Sequence, residues 1–123
     1  LDVMLSVPEM KGYAGLLAFR WVKKSKALLA FTKFDITCAI ELPAAYADRT
    51  VAYYNAVWNE MEARGIPYTL HWGQMNNFSR PGRVRAMYGD EAVDAWIASR
   101  KRLLDAPAQA VFTSPFLRQC GLA

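Results

Sequence analysis

Polar side chains that could bind or react with a small molecule recur at every second position of three apolar segments. Because successive side chains of a β-strand point to opposite faces, such positions share one face of a sheet. The segments covering residues 14–22, 35–42 and 68–72 place these polar residues on that face: Arg20, Thr37, Glu41, Thr69 and His71. The opposite face of each segment is apolar. A charged pair, two hydroxyls and an imidazole on one face predict the floor of a small-molecule pocket.

A solvated sheet face is the alternative, since antiparallel sheets often leave one face in water. Such a face usually carries several Lys and Glu residues. Here Ala18, Ala39 and Gly73 accompany single charges on the same side. This pattern favours the pocket, and the solvated face remains open as the second interpretation.

Arg20 is the most informative of these residues, because it interrupts the apolar run Leu-Leu-Ala-Phe-Arg-Trp-Val. A buried charge without a partner costs several kcal/mol, so Arg20 requires an acceptor. Glu41 can provide it if the two segments are neighbouring strands, where facing side chains lie about 5 Å apart. We therefore predict an Arg20–Glu41 pair. The alternative is that Glu41, just before Leu42-Pro43, leaves the sheet into solvent.

The other reactive residue types indicate little chemistry of the chain's own. A single histidine beside aromatic residues is typical of a structural role, and Cys38 falls on the apolar face, where a thiol is inert. Cys38 and Cys120 are too few for a disulfide framework or a metal site, so we predict no metal and a reducing, cytoplasmic location. No phosphate-binding glycine loop or nucleophile motif is present. A pocket without its own reactive group indicates a cofactor bound elsewhere.

The elements that position these residues follow from periodicity and turn residues. Apolar positions at helical spacing predict a helix from Ala47 to Arg64, ended by Gly65 and Pro67. Residues 68–72 then form a returning strand, which gives a split β-α-β unit. We also predict a strand at residues 2–7, a short helix at 83–88, a helix from 90 to about 104 with Asp90 as its cap, and an irregular tail from Pro107.

The expected fold class is therefore α+β, an antiparallel sheet with helices packed on one face and split β-α-β (ferredoxin-like) elements. A length of 123 residues fits one domain. The chain is 54% hydrophobic and only 21% charged, so we expect apolar surface that is kept for a partner. Because the chain starts at Leu1, we expect a fragment or the C-terminal part of a longer protein.

Charge and hydropathy exclude two classes of partner. The net charge of +4 comes from basic clusters on three separate segments, without the interleaved aromatic residues of a nucleic-acid surface. No apolar run approaches the roughly 20 residues that span a bilayer, and no signal segment opens the chain. We expect a protein that binds neither nucleic acid nor membrane.

Several motifs in their order along the chain resemble the C-terminal region of FAD-linked oxidases, a family that includes aldonolactone oxidases, alditol oxidase and flavin-covalent cholesterol oxidases. The similarity covers roughly residues 14 to 118. The most specific motif is His71-Trp72-Gly73, at the end of the third predicted strand. The motifs that carry the resemblance are Phe19-Arg20, residues 35–41, His71-Trp72-Gly73-Gln74, Leu104-Asp105 and residues 112–117 (Phe-Thr-Ser-Pro-Phe-Leu).

The resemblance implies a substrate-binding cap that is inactive alone and works with an FAD-binding domain, either a missing N-terminal half or a separate chain. In that family the cap sheet covers the isoalloxazine ring, where an alcohol-type substrate (sugar, lactone, polyol or sterol-like) transfers hydride to flavin. Glu41 would then orient the substrate hydroxyl or accept its proton, with Arg20 beside it as the second catalytic residue. The residues expected to contact the cofactor are His71, Trp72, Gln74, Asn76 and Asn77, and those expected to contact substrate are Thr37 and Thr69.

Two departures from the family pattern touch its active-site charges. The family often has an acid two residues before the arginine and a lysine after His-Trp-Gly, where this chain has Ala18 and Gln74. The substrate class is therefore open. A stand-alone ferredoxin-like module, which binds a ligand or a protein without flavin, is the alternative function.

Overall fold

A computed structural model describes all of residues 1–123. The chain forms six α-helices and a single two-stranded antiparallel sheet, which makes it α+β as predicted. In chain order the elements are α1 (Asp2–Ser6), a 3₁₀ helix (Pro8–Gly12), β1 (Ala18–Lys23), β2 (Ile36–Glu41), α2 (Asp48–Ala63), α3 (Arg83–Tyr88), α4 (Asp90–Leu103), α5 (Ala106–Val111) and α6 (Pro115–Gln119).

The chain divides into two compact units that alternate along the sequence. The first comprises Leu1–Val22 and Ile36–Tyr68, and the second comprises Lys23–Asp35 and Thr69–Ala123. The expectation of one domain over residues 1–123 stays a prediction.

The long helix of the first unit, α2, agrees with the prediction to within one residue at each end. Gly65 has a φ of +64° and its amide donates to the Glu62 carbonyl, while the Ile66 amide donates to the Met61 carbonyl. These two bonds form a Schellman motif, which is favoured by glycine because a Cβ is strained at positive φ.

The core of the first unit joins α2 to the N-terminal segment. Its buried members are Val3, Met4, Val7, Tyr53 and Val57. The sheet contributes to this core at one end, through the partly buried Ile40 of β2 and the residues Leu17 and Leu42 that flank the two strands. The predicted packing of helices on the apolar sheet face therefore holds at that end.

The second unit contains α3 and α4, which agree with the predicted bounds. Asp90 does not cap α4, which is a correction: the cap position is Gly89, with φ +84° and no side-chain cap. The Asp90 carboxylate instead accepts a hydrogen bond from Arg85 at 2.8 Å, and Asp94 accepts another from the same guanidinium at 2.7 Å. Asp90 is thus used by this surface network and not by the helix terminus.

The predicted strand at residues 2–7 is wrong, because Asp2–Ser6 forms α1 and Val7 is the cap residue between α1 and the 3₁₀ helix. Val3 and Val7 are both buried in the core, and residues four apart share a face of a helix. Asp2 lies in the first turn, where a carboxylate is favourable. Helical periodicity outweighed the β-favouring residue types.

The predicted strand at 68–72, and with it the split β-α-β unit, is also wrong. Side-chain hydrogen bonds fix the position of this segment, and no backbone ladder does so. The Thr69 hydroxyl donates to the Phe31 carbonyl, and the Trp72 indole N–H donates to the Leu29 carbonyl at 2.8 Å. The sheet consequently has two strands and not three.

The tail beyond Pro107 is helical and not irregular. Asp105 caps α5 by accepting from the Ala108 amide at 2.9 Å, and Ser114 caps α6 by accepting from the Leu117 amide at 3.2 Å. Both helices carry proline in their first turn, where its missing N–H is harmless.

Candidate functional site

The two strands bring Arg20 and Glu41 together on one face of the sheet. The Leu16 amide donates to the Pro43 carbonyl at 3.2 Å, and the Lys24 amide donates to the Asp35 carbonyl at 3.3 Å. These bonds fix a register in which Arg20 lies opposite Ala39 and Glu41 lies opposite Ala18. Arg20 and Glu41 are therefore diagonal neighbours, close enough for a long side chain to bridge.

The predicted ion pair is confirmed. Nη2 of Arg20 lies 2.9 Å from Oε1 of Glu41 and donates a hydrogen bond to Oε2 at 3.1 Å. The alternative that Glu41 turns away into solvent is thereby wrong. No other hydrogen bond of the Arg20 guanidinium is present, so its remaining N–H groups are available to an oxygen of a ligand.

The pair lies on an open surface. The Arg20 side chain is 68% exposed and the Glu41 side chain 46% exposed. Their strand neighbours Ala18 and Ala39 are too small to cover them, and Leu16 on the same face is exposed as well. This side of the sheet is therefore open to solvent at the pair, as the solvated-face interpretation expects.

Thr37 shares this face by alternation, but its residue is only 6% exposed. A substrate on the open face does not reach a side chain that is already covered. Thr37 lies in the first unit with the ion pair, so the structure groups these three predicted residues and leaves two of them accessible.

The other predicted site residues all belong to the second unit. Because no strand forms at 68–72, Thr69 and His71 do not share a sheet face, which corrects that part of the prediction. The Thr69 hydroxyl is bonded to the Phe31 carbonyl. His71 is exposed, with Nδ1 accepting from the Gly73 amide at 3.1 Å and its ring 5.5 Å from that of Phe31.

The residues after His71 form a turn, and the Asn76 side-chain amide hydrogen-bonds within this turn. The Asn76 side chain donates to the Gln74 carbonyl at 2.8 Å and accepts from the Phe78 amide at 3.1 Å. Asn77 is buried, and Trp72 stacks on Phe78 with ring centroids 4.0 Å apart. Within this loop, His71 and Gln74 are the predicted cofactor contacts whose side chains face solvent.

Three tyrosines of the first unit form a cluster that sequence reasoning missed. Tyr13 stacks on Tyr53 at 4.4 Å, and Tyr54 lies 6.3 Å from Tyr13. Burial, reinforced by Tyr54 and Tyr53, raises the pKa of Tyr13 to about 12. The sequence feature that indicates this cluster is Gly15, because a Cβ at this position would come within 2.4 Å of the Tyr13 ring.

A lysine and an apolar cavity of the second unit were also missed. Lys33 donates to the Met87 carbonyl at the end of α3, and burial lowers its pKa. A cavity of about 240 Å³ is lined only by apolar and indole side chains, which are Leu28, Leu29, Trp72, Trp96, Leu117 and Leu122.

No helix has the length and apolar character needed to cross a bilayer. No group of three His, Cys, Asp or Glu side chains is arranged to hold a metal ion. Comparison with known proteins found no match to this chain among family models, curated proteins or solved structures.

Proposed function

We propose that this chain is the substrate-binding cap of an FAD-dependent oxidoreductase that oxidises an alcohol-type substrate by hydride transfer to flavin. The observation that carries the proposal is the Arg20–Glu41 pair, held at 2.9 Å on an open sheet face beside the small Ala18 and Ala39. This arrangement combines a proton acceptor with a cation and leaves room above both.

The chemistry of the pair matches alcohol oxidation. Removal of hydride from a carbinol carbon requires that the hydroxyl lose its proton to a nearby base. The Glu41 carboxylate is such a base, and the free N–H groups of Arg20 can hold the substrate oxygen as it gains negative charge. FAD, when bound, accepts the hydride.

Covering the pair would strengthen it. In water the exposed carboxylate is well solvated and its attraction to Arg20 is weak. When a substrate and a second domain exclude water, the attraction between the carboxylate and the guanidinium becomes stronger. We therefore expect catalytic activity only in the assembled protein and none from residues 1–123 alone.

We propose that the chain contacts the redox end of FAD and not its phosphates. The chain has no glycine loop for a pyrophosphate. His71 and Gln74 expose polar groups to solvent and are the cofactor contacts that we propose. Trp72, Asn76 and Asn77 would then position this loop, with Thr69 anchoring its start.

The required partner is an FAD-binding domain, in the same polypeptide or in another chain. Both cysteines are free thiols, which fits our proposal of a cytoplasmic enzyme. The test is the visible spectrum of the whole protein that carries residues 1–123. We expect bound flavin that is bleached anaerobically by a polyol, sugar lactone or sterol, whereas residues 1–123 alone should bind no FAD in a titration. A whole protein without flavin would overturn the proposal.

A stand-alone interaction module without flavin is the second candidate. It is favoured by the exposure of large apolar side chains on the sheet, among them Trp21 at 74% and Ile36 at 68%. Tight stoichiometric binding of a protein by residues 1–123, with no flavin in the whole protein, would favour this candidate over the cap.

A further inference from the structure

The outer edge of β1 is an unpaired strand edge. In the register described above, the amides of Arg20 and Val22 point to β2, and those of Phe19 and Trp21 point away from it. The sheet contains only these two strands, and no backbone bond reaches Phe19 or Trp21 from any other segment. The outward N–H and C=O groups of β1 are therefore free to pair with another strand.

The side chains distinguish this edge from that of β2. Every residue of β1 from Phe19 to Lys23 is exposed, whereas β2 is partly or fully covered over most of its length. Phe19, Trp21 and Ile36 share one face and are 44%, 74% and 68% exposed. We call these three residues the distal apolar patch. Water-exposed aromatic residues beside an open edge are unfavourable unless another surface covers them.

We infer that a second copy of this chain covers the edge, with β1 pairing antiparallel to β1 about a two-fold axis at Trp21. The two sheets then join into one sheet of four strands. This inference goes beyond the proposed flavin chemistry, which uses the opposite face of the sheet, and does not depend on it.

Charge selects the register. The outward N–H and C=O groups of β1 can pair only with the outward groups of β1 in the second copy. A symmetric pairing that overlaps most of the strand therefore has its two-fold axis at Arg20 or at Trp21. An axis at Arg20 places the two Arg20 side chains opposite each other, and directly opposed like charges are destabilising. An axis at Trp21 instead places Lys23 opposite the second copy's Phe19, a cation beside an aromatic ring, at both ends of the pairing.

The same register accounts for the exposed patch. Trp21 then lies opposite the second copy's Trp21, and both distal apolar patches fall on one face of the joined sheet. The Lys23 side chains lie at opposite ends of the pairing, so the basic termini of the two strands do not meet. A two-fold interface of this kind is self-complementary.

The experiment is sedimentation equilibrium of residues 1–123 over a concentration series, combined with residue-resolved hydrogen exchange. We expect a monomer–dimer equilibrium. The Phe19 and Trp21 amides should exchange rapidly at low concentration and become protected as the dimer forms. The Arg20 and Val22 amides, which pair within the hairpin, should be protected at every concentration.

Three variants distinguish pairing of the β1 edge from nonspecific hydrophobic association. Phe19→Pro removes an outward N–H without touching the bonds to β2, and should weaken dimerisation by about 10-fold or more relative to Phe19→Thr, which keeps the amide. Phe112→Thr removes an aromatic side chain that is 63% exposed on another segment and should leave the dimer unchanged. Far-ultraviolet circular dichroism and protection of Val22 confirm folding of each variant.

A monomer at all concentrations would overturn the inference. So would a dimer that Phe112→Thr disrupts and Phe19→Pro does not, or protection that spreads equally over odd and even amides of β1. Each of these results leaves the flavin proposal untouched.

Discussion

Arg20 reaches diagonally across the two-stranded sheet to Glu41, with its Nη2 atom 2.9 Å from the carboxylate and both side chains largely in solvent. A pair of this kind has little effect on the stability of the chain by itself, because exposed ion pairs contribute about 0.2–1 kcal/mol. The consequence of the pair is that a carboxylate and a guanidinium lie side by side on the sheet surface.

A double-mutant cycle of Arg20→Met and Glu41→Gln in residues 1–123 should therefore give a coupling energy below about 1 kcal/mol. Urea unfolding measures it. The Arg64–Glu60 pair at the C-terminal end of α2, a partly exposed pair with a 2.7 Å contact, is the comparison. A coupling above about 2 kcal/mol would show that the Arg20–Glu41 pair is buried in solution, against the open face described here.

A second prediction concerns two buried tyrosine hydroxyls with different surroundings. The Tyr88 hydroxyl is buried without a hydrogen-bond partner, since the neighbouring Trp72 indole donates to Leu29. The fully buried Tyr53 donates its hydroxyl hydrogen to the Met4 carbonyl at 3.2 Å. Tyr88→Phe should leave the free energy of unfolding unchanged or higher, and Tyr53→Phe should lower it by about 1 kcal/mol. The opposite order in thermal melts would refute both assignments.

A third prediction is a loss of stability at high pH. Burial raises the pKa of Tyr13 from 10.0 to about 12 and also raises that of Tyr53. Between these values the unfolded state releases its phenol protons first, so the folded state binds more protons and stability falls as the pH rises. The stabilisation is complete below pH 10. The lowered pKa of Lys33 acts in the opposite direction, because the folded state then releases the Lys33 proton before the unfolded state does.

Urea midpoints measured across pH 9 to 12 test this sign. The urea midpoint of the wild-type protein should decrease as the pH rises above about 10. Tyr13→Phe should make this decrease of the midpoint with pH less steep. A midpoint that rises with pH in this range would contradict the assignment of the tyrosine cluster as buried and neutral.

Elements with strong local signals could be predicted from the sequence. The helix α2 has an apolar stripe, a glycine at its end and a proline beyond it, and both bounds were right to one residue. Alternation placed Arg20 and Glu41 on one face, so their pairing could be predicted once β1 and β2 were taken as neighbours. In these segments local pattern and tertiary packing agree.

The errors fall where tertiary contacts decide. Residues 68–72 carry β-favouring side chains, but Thr69 and Trp72 hydrogen-bond to a loop that is distant in sequence, a choice that no local pattern reveals. The two C-terminal helices, in contrast, were missed although Asp105 and Ser114 each precede a proline-containing first turn, which is a cap signal that the sequence does contain.

The candidate site was predictable only in part for the same reason. Alternation located Arg20 and Glu41, but it could not show that Thr37 is covered, nor that Asn76 bonds within its own turn. Burial of a polar residue depends on what packs over it, and that information is not local.

We propose that Glu41, held by Arg20, accepts the substrate proton during flavin reduction. Single-turnover reduction of the flavin in the whole protein, followed by its visible absorbance under anaerobic conditions, tests this most directly. Glu60→Gln, which removes a carboxylate from the comparable surface pair on α2, serves as the control and should leave the rate unchanged. Glu41→Gln should slow reduction by about 100-fold or more while the protein keeps its fold and its flavin. An unchanged rate of flavin reduction in Glu41→Gln would contradict the role of Glu41 as the base and leave Arg20 as a binding residue only.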